Sequence, residues 1–357
     1  MTADLPTPLE ICDVLRRRVI GQEGALRELS LALAKHLAGL STGNILMIGS
    51  SGSGKTTLMR AVEAFLAQRA DLASRSNLVR IHANVLSQEA ERGRPGETIL
   101  GRLLDRAAEA LGRDAPVGDL LERVRHGMVF VDEVDKIRSR VGDRPNVAGI
   151  RAQEALLTLI ENESVPFDLP AWAGGGRVRL DSSAILFVCA GAFEGLYDAV
   201  YDRVTIGADR GSLRARMRVE GRDVVEETTF SLGDWLRNED LFDYGMTPQF
   251  LSRFDAVVLL EDLGTDELLE IFLEAPDSGY HQSRAYFESR GIDLALSPSA
   301  VRRIAGEAAL RPRLGARALR EVFRRVIRRY ELDPDSAAVG GALLIDLPEV
   351  EEALGES

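Results

Sequence analysis

An eight-residue phosphate-binding motif constrains the fold of this chain more than any other feature. Residues 49–56, Gly-Ser-Ser-Gly-Ser-Gly-Lys-Thr, match the P-loop pattern G-x-x-x-x-G-K-[ST]. The apolar run 44–48 before the motif predicts a buried strand, and the amphipathic run 57–66 after it predicts a helix. Such a loop turns backbone N–H groups and a helix N-terminus toward an anion. The motif therefore predicts an α/β fold that binds a nucleotide.

The residue types in the motif predict the roles of its members. Lys55 can reach the β- and γ-phosphates, and the Thr56 hydroxyl can ligate Mg²⁺. We accordingly expect ATP and Mg²⁺ as cofactors. The predicted nucleotide-binding residues of the loop are Ser51, Gly52, Ser53, Gly54, Lys55, Thr56 and Thr57.

Two adjacent carboxylates follow a second apolar strand, predicted at 128–131. Asp132 and Glu133 stand at the end of that strand, the edge at which parallel sheets bind ligands. We expect Asp132 to hold Mg²⁺, directly or through water. We expect Glu133 to orient and activate the attacking water. The two motifs together predict ATP hydrolysis.

The remaining pattern indicates two domains in the 357 residues. Further apolar strands are predicted at 78–83, 184–189 and 255–260. We also predict a loop rich in charge and glycine at 87–96, helices at 97–111 and 152–160, and a flexible turn at 173–176. Helices lie between these runs, as is typical of a parallel sheet covered on both faces. After about residue 260 the strands largely stop, and helices are predicted at 265–273, 280–289, 298–309 and 315–330. We place a nucleotide-binding domain at 1–260 and a small helical domain at 261–357.

Charge and composition argue against several functional classes. The formal net charge of -12 disfavours broad, non-specific nucleic-acid binding. Two cysteines cannot form a disulfide framework or a four-cysteine zinc site. The longest apolar run, 184–193, is too short to span a bilayer, and the N-terminus lacks a secretory signal pattern. We therefore expect a cytoplasmic protein without a membrane partner, and the acidic charge disfavours nucleic acid as a partner.

Taken in order, the motifs resemble the AAA+ ATPases and, within them, the ClpX unfoldase family. The segments that carry the resemblance are 5–8, 19–22, the P-loop, 132–137, 154–157, 185–193, 247–254 and 315–320. The resemblance covers nearly the whole chain. It implies an AAA+ P-loop fold with a parallel-sheet large domain and a mainly helical lid domain. It also implies ATP hydrolysis, a homo-hexamer and a protein substrate.

The resemblance assigns further residues to the nucleotide site. Val19, Ile20 and Gln22 match the segment that borders the adenine. Arg253 matches the arginine finger, which reaches into the site of the neighbouring subunit. Arg317 matches the sensor-2 arginine, which brings the small domain onto the γ-phosphate. We expect Lys55, Glu133, Arg253 and Arg317 to carry catalysis.

Several departures from the family pattern lie in the segments with which family members bind partner proteins and hold the substrate polypeptide. The N-terminal zinc-binding domain of many members is not matched. Residues 90–93, Ala-Glu-Arg-Gly, stand where the family has a Gly-Tyr-Val-Gly pore loop, and no aromatic residue occurs from 84 to 109. Residues 206–209 lack the phenylalanine of the Ile-Gly-Phe loop that docks on the peptidase, and only 176–179 correspond to the basic loop. No sensor-1 residue is assigned within 189–192.

These features predict an ATP-hydrolysing remodeller of protein partners, with a dedicated client and without a docked ClpP-type peptidase. One alternative is a nucleotide-controlled assembly that threads no polypeptide, which the altered pore loop favours. The other is a nucleic-acid motor, supported by the arginines at 92–102 and 214–218 and opposed by the acidic net charge. A polypeptide in the central channel would distinguish the protein remodeller from the nucleotide-controlled assembly.

Overall fold

The chain divides into two compact units. The computed structural model describes residues 5–40, 42–69, 72, 75–94, 96–142, 144–161, 164–206, 215–220, 223–228 and 230–355, with the backbone alone for 215–220, 223–228 and 337. The first unit comprises Met1–Ile11, Arg27–Ile48 and Glu63–Leu259, and the second comprises Cys12–Leu26, Gly49–Val62 and Leu260–Ser357. The units and the predicted domains differ in the assignment of 12–26, 49–62 and Leu260.

The bounds of the secondary structure are as follows. The strands are β1 Asn44–Ile48, β2 Leu78–His82, β3 Met128–Asp132, β4 Arg140–Val141, β5 Arg144–Pro145, β6 Val165–Asp168, β7 Arg177–Leu180, β8 Leu186–Gly191, β9 Ala215–Glu220, β10 Asp223–Thr228, β11 Phe254–Leu259, β12 Asp293–Leu296 and β13 Ala342–Ile345. The helices are α1 Pro8–Arg16, α2 Glu23–Leu37, α3 Lys55–Ala67, α4 Asn84–Glu91, α5 Glu97–Leu111, α6 Val117–Arg125, α7 Val147–Glu161, α8 Leu196–Thr205, α9 Leu232–Trp235, α10 Asn238–Tyr244, α11 Pro248–Leu251, α12 Thr265–Glu274, α13 Gly279–Glu288, α14 Pro298–Ala309, α15 Ala316–Leu332, α16 Pro334–Ala337 and α17 Leu347–Gly355.

A five-stranded parallel sheet forms the centre of the first unit. Its strand order is β11-β1-β8-β3-β2, and the pairings of β1, β2, β3, β8 and β11 are all parallel. The predicted α/β fold is thereby confirmed. Because the strands are parallel, Ile48, Asp132 and Gly191 end β1, β3 and β8 at one edge of the sheet.

Alternate residues of these strands pack against the helices of the first unit. The shared core includes Leu46, Ile48, Val79, Ile81, Val129, Val131, Phe187 and Cys189. The predicted helix at 97–111 is confirmed as α5, and its apolar stripe joins this core. Strands β1, β3 and β8 are buried along nearly their whole length, which explains why they read as continuous apolar runs rather than alternating ones.

The C-terminal part of the second unit packs helices around its own core. The predicted helices are confirmed as α12 to α15, and α17 adds to them. A parallel pair of strands, β12 and β13, also lies here and was not predicted. Each has four residues, so the pattern was too short to distinguish from the helix ends. Leu294 and Leu343, paired in register, are buried in the core.

The segment predicted as a charged loop from Ser87 to Gly96 is helical as far as Glu91, so the prediction is wrong for its first half. Its first part belongs to α4, and only the residues after Glu91 form a turn. The reason is Glu89, which is 5% exposed and accepts hydrogen bonds from Gly96 N at 3.0 Å and Thr98 N at 2.6 Å. The carboxylate satisfies N–H groups at the start of α5, which stabilises that helix end and connects it to α4.

Two other predicted segments have different outcomes. The turn predicted at 173–176 is confirmed. Gly174, Gly175 and Gly176 all have positive φ and lie between β6 and β7, which pair antiparallel as a hairpin. Residues 207–209 of the predicted docking loop, and residue 214, lie outside the described residues. Within the described part of the chain, no helix combines the length and apolarity that a membrane span requires.

The Glu89 cap leads to a stability prediction. Replacement by alanine leaves Gly96 N and Thr98 N without their buried acceptor, so Glu89→Ala should lower the free energy of unfolding by about 1–3 kcal/mol. Glu91→Ala, on the same helix but exposed, is the control and should change it by less than about 0.5 kcal/mol. Urea denaturation measures both. Equal effects of the two substitutions would contradict the capping role.

Candidate functional site

The P-loop of the second unit has the geometry of a phosphate-binding turn. Gly52 and Gly54 have φ values of 81° and 106°, which residues other than glycine rarely adopt. The Lys55 ammonium donates hydrogen bonds to the carbonyl oxygens of Gly49 and Ser50, the latter at 2.8 Å. Among the described residues, no atom lies within 4 Å of the position that a Cβ on Gly54 would take. An open, glycine-turned loop beside an ammonium group fits a bound phosphate.

Hydroxyl groups of the same loop fit a hydrated divalent cation. Thr56 is the second residue of α3 and is partly exposed. Ser53 Oγ is buried and has no hydrogen-bond partner among the described residues. The described residues contain no group of three or more His, Cys, Asp or Glu that could hold a metal ion. A cation here would be held by few protein oxygens, with phosphate and water as its other ligands, which is how Mg²⁺ binds with nucleotides.

Gln22 connects the N-terminal segment of the second unit to the P-loop. Its backbone is left-handed, with φ 62°, and its side chain is buried. The amide nitrogen donates to Ser53 O at 3.0 Å and Glu261 O at 2.8 Å, and the amide oxygen accepts from Glu261 N at 2.9 Å. The amide therefore holds three backbone groups in place. Its nearby predicted adenine neighbours are Val19, which is buried, and Ile20, which is partly exposed.

The backbone of the P-loop touches the segment that carries Arg317. Ala316 N donates to Gly52 O at 3.2 Å. A Cβ on Gly52 would lie 2.3 Å from Leu314 O, and a Cβ on Gly315 would lie 2.6 Å from Gly52 O. Both positions need glycine for this close approach. Arg317 stands in the first turn of α15 and is exposed, so the predicted sensor arginine is held within one residue of a direct P-loop contact.

The two predicted carboxylates lie at the end of β3 in the first unit. Glu133 has a left-handed backbone with φ 60°, and its N–H donates to Asp132 Oδ1 at 2.9 Å. Such a conformation is strained for a side-chain-bearing residue and is frequent at functional sites. The Glu133 carboxylate lies 3.7 Å from His82 Nδ1 at the end of β2. Sequence reasoning missed His82, although strand ends on one sheet edge could have indicated it.

A buried carboxylate joins the turn after Glu133 to the end of β8. Asp135 is 1% exposed, and its Oδ1 accepts from Ala192 N at 3.1 Å. Phe193, next in the chain, has a positive φ of 50°. Burial and the nearby charge of Asp135 raise the pKa of Tyr244 to about 12. In the segment 189–192, where no sensor-1 residue was assigned, the N–H of Ala192 thus already donates a hydrogen bond to Asp135.

Arg253 follows α11 in the first unit, and its side chain is about half exposed. Its guanidinium forms an ion pair with Glu161 at the end of α7. Its carbonyl oxygen accepts a hydrogen bond from Asn44 Nδ2 at 3.1 Å. The backbone of Arg253 is therefore attached to the first strand of the sheet, while its charged end lies at the surface.

The predicted site residues fall into two groups. The second unit brings together the P-loop residues, Gln22 and the base of Arg317. The first unit contains Asp132, Glu133 and Arg253. Within the loop, Ser51 is partly buried and Thr57 is exposed, so both have surface available to a ligand. Sequence reasoning did not find the close approach at Gly315, whose only signal is a glycine immediately before a helix.

Comparison with known proteins identifies relatives along the whole chain. A family model described as AAA domain (Cdc48 subfamily) matches residues 40–257, more than half of the chain. The protein named ATP-dependent Clp protease ATP-binding subunit ClpX from Azotobacter vinelandii is 29% identical over 99% of this chain and 80% of its own length. The protein named ClpX 3 from Methylococcus capsulatus is 31% identical over 99% of this chain and 84% of its own length. A ClpX from Porphyromonas gingivalis is 30% identical over 91% of this chain and 77% of its own length.

The contact at Gly52 leads to a prediction for nucleotide binding. A methyl group there would overlap Leu314 O and would require a left-handed alanine, so Gly52→Ala should displace the loop. We expect a cost of about 1–3 kcal/mol, which corresponds to roughly five- to hundredfold weaker ATP binding. Calorimetric titration with ATP measures the change.

Gly101→Ala is the matched control, because Gly101 lies within α5 and a Cβ there would meet no atom within 4 Å among the described residues. Its ATP affinity should equal that of the unaltered protein. Unchanged affinity in Gly52→Ala would show that the close backbone contact is not needed for binding.

Proposed function

Since the chain belongs to the AAA+ ATPases and is ClpX-like within them, we propose that it is a ring-forming unfoldase that remodels protein partners. ATP hydrolysis follows from family membership. The observation that best supports the proposal is the hydrogen bond from Ala316 N to Gly52 O. It joins the phosphate-binding loop to the segment that carries Arg317. A nucleotide that moves the loop therefore acts directly on that segment, as a motor requires.

We assign the binding of ATP to the P-loop residues. The backbone N–H groups of 51–57 and the Lys55 ammonium bind the phosphates, since the loop is open beside Gly54. Thr56 and Asp132 would hold Mg²⁺. When bound, the cation neutralises charge on the phosphate oxygens.

We assign hydrolysis to Glu133 and two arginines. Glu133 orients the attacking water and accepts its proton, and its left-handed backbone presents the carboxylate at the strand end. Arg317 stabilises charge on the γ-phosphate of its own subunit. Arg253 does so in the neighbouring subunit of a proposed homo-hexamer. Elsewhere, such a finger is worth about 10³–10⁵ in rate.

The partners follow from the relatives and from the departures in sequence. The relatives are named as ATP-binding subunits of a Clp protease, which favours a peptidase partner for this chain. The segment 206–209 lacks a phenylalanine, which disfavours docking through a hydrophobic anchor. We propose a protein client, in the cytoplasm, that is remodelled without stable attachment of a ClpP-type peptidase.

A second candidate function is a nucleotide-controlled assembly that threads no polypeptide. The observation that favours it is the last turn of α4, where Glu91 stands in place of an aromatic residue and Glu89 accepts hydrogen bonds from the start of α5. A hydrated carboxylate grips a passing chain less well than an aromatic ring. ATP hydrolysis is common to both candidates, so it does not distinguish them.

Two substitutions test the assigned nucleotide chemistry. Lys55→Ala removes a charge-assisted hydrogen bond to phosphate and should weaken ATP binding roughly 10- to 100-fold. Glu133→Gln should keep the ATP affinity and lower kcat by about 10²–10⁴, because the amide cannot accept the proton of water. Equilibrium binding and phosphate release measure the two effects. Normal turnover in Glu133→Gln would refute its role as the base.

Attachment of a peptidase gives a separate prediction. With ATP, the unaltered protein should not comigrate with a ClpP-type peptidase in sedimentation velocity. ClpX of Azotobacter vinelandii, named as a Clp protease subunit, is the positive control. Ala208→Phe restores Ile-Gly-Phe at 206–208 and should strengthen the association. Stable, ATP-dependent association of the unaltered protein would contradict this part of the proposal.

A further inference from the structure

The buried side chain of Gln153 in α7 joins two separate parts of the first unit. Gln153 is 1% exposed. Its amide nitrogen donates to Ile137 O at 2.8 Å and to Gly245 O at 3.0 Å. Its amide oxygen accepts from Thr247 N at 2.8 Å and from Thr247 Oγ1 at 3.0 Å. Both donor hydrogens and both acceptor positions of the amide are thus used.

One side of this network belongs to the turn after Glu133. Ile137 ends the short 3-10 turn Val134–Ile137, which begins directly after the left-handed Glu133. Within that turn, Asp135 binds Ala192 N at the end of β8. The turn is therefore attached both to the sheet edge and, through Ile137 O, to Gln153.

The other side belongs to the segment that carries Arg253. Thr247 immediately precedes α11, and Phe250 within that helix is fully buried. Arg253 N donates to Phe250 O at 3.2 Å, so Arg253 continues from the last turn of α11. The Arg253 guanidinium forms its ion pair with Glu161, the last residue of α7. Helix α7 thus holds this segment at Thr247 and again at Arg253.

The physics of this network favours concerted movement. A buried amide with all four hydrogen bonds made cannot shift away from one partner without leaving polar groups unsatisfied. The helix around it is closely packed, with Ala152 and Leu156 fully buried. A displacement of the turn after Glu133 therefore moves the Thr247 to Arg253 segment with it or breaks buried hydrogen bonds.

We propose that Gln153 is a positioning residue that couples the turn after Glu133 to the arginine finger Arg253. The position of the turn after Glu133 in one subunit then sets the position of the Arg253 side chain that this subunit presents to its neighbour. This inference rests on the proposed function, in which Arg253 acts on a neighbouring site. Gln153 itself contacts no reacting group.

Gln153→Met tests this coupling, because methionine is unbranched like glutamine and keeps the buried volume without hydrogen bonds. ATP affinity should stay within about twofold, while kcat should fall roughly 10- to 100-fold because of a misplaced finger. Glu154→Ala, the exposed neighbour on α7, is the control and should leave both unchanged. Thr247→Val removes only the hydroxyl donor to Gln153, so it should lower kcat in the same direction by a smaller factor. This variant replaces Gln153→Met in the test if Gln153→Met does not fold.

Mixed assemblies show whether the defect lies in the finger. A Glu133→Gln subunit cannot hydrolyse ATP but offers an intact finger. Mixed with Gln153→Met subunits, it should restore turnover at their sites, as it should for Arg253→Ala subunits. Rescue of Arg253→Ala without rescue of Gln153→Met would overturn the coupling role alone. Failure to rescue Arg253→Ala would overturn the finger in trans, and with it the proposed function on which the coupling rests.

Discussion

Two backbone segments approach each other closely at Gly52, and the proposed coupling of nucleotide binding to the C-terminal helices depends on this contact. The carbonyl oxygen of Gly52 accepts a hydrogen bond from Ala316 N. The two segments are so close that a side chain on Gly52 or Gly315 would overlap the opposite backbone. Gln22 adds three hydrogen bonds that link the loop to Glu261. Because the phosphate-binding loop is bonded to the segment bearing Arg317, nucleotide chemistry and the C-terminal helices share one rigid connection. Most of what the protein is proposed to do with ATP needs that connection.

The motif and the buried strands could be read from the sequence because they depend on local patterns. The P-loop, β1, β3 and α5 follow from glycine spacing, continuous apolar runs and helical periodicity. The parallel sheet followed from the same runs, since strands buried on both faces have no alternation. These features need no knowledge of which residues meet in the fold.

Other features depend on tertiary partners and could not be predicted. Glu89 reads as one more charge in a polar stretch, and only the structure shows its carboxylate at the start of α5. Gln153 reads as one polar residue within the predicted helix 152–160, and only the structure shows its amide buried with four hydrogen bonds. The short strands β12 and β13 are stable only through each other and the helices around them. In each case the informative neighbour is distant in sequence.

The departures from the family pattern separate the chemistry of ATP from the handling of a partner. The described nucleotide-binding residues keep the expected residue types, whereas the turn after α4 has no aromatic side chain. The most direct test is electron cryomicroscopy of the Glu133→Gln protein, purified from its native cells with ATP. We expect a hexameric ring with an extended polypeptide in its channel. A ring or filament with an empty channel would contradict the unfoldase and favour the nucleotide-controlled assembly.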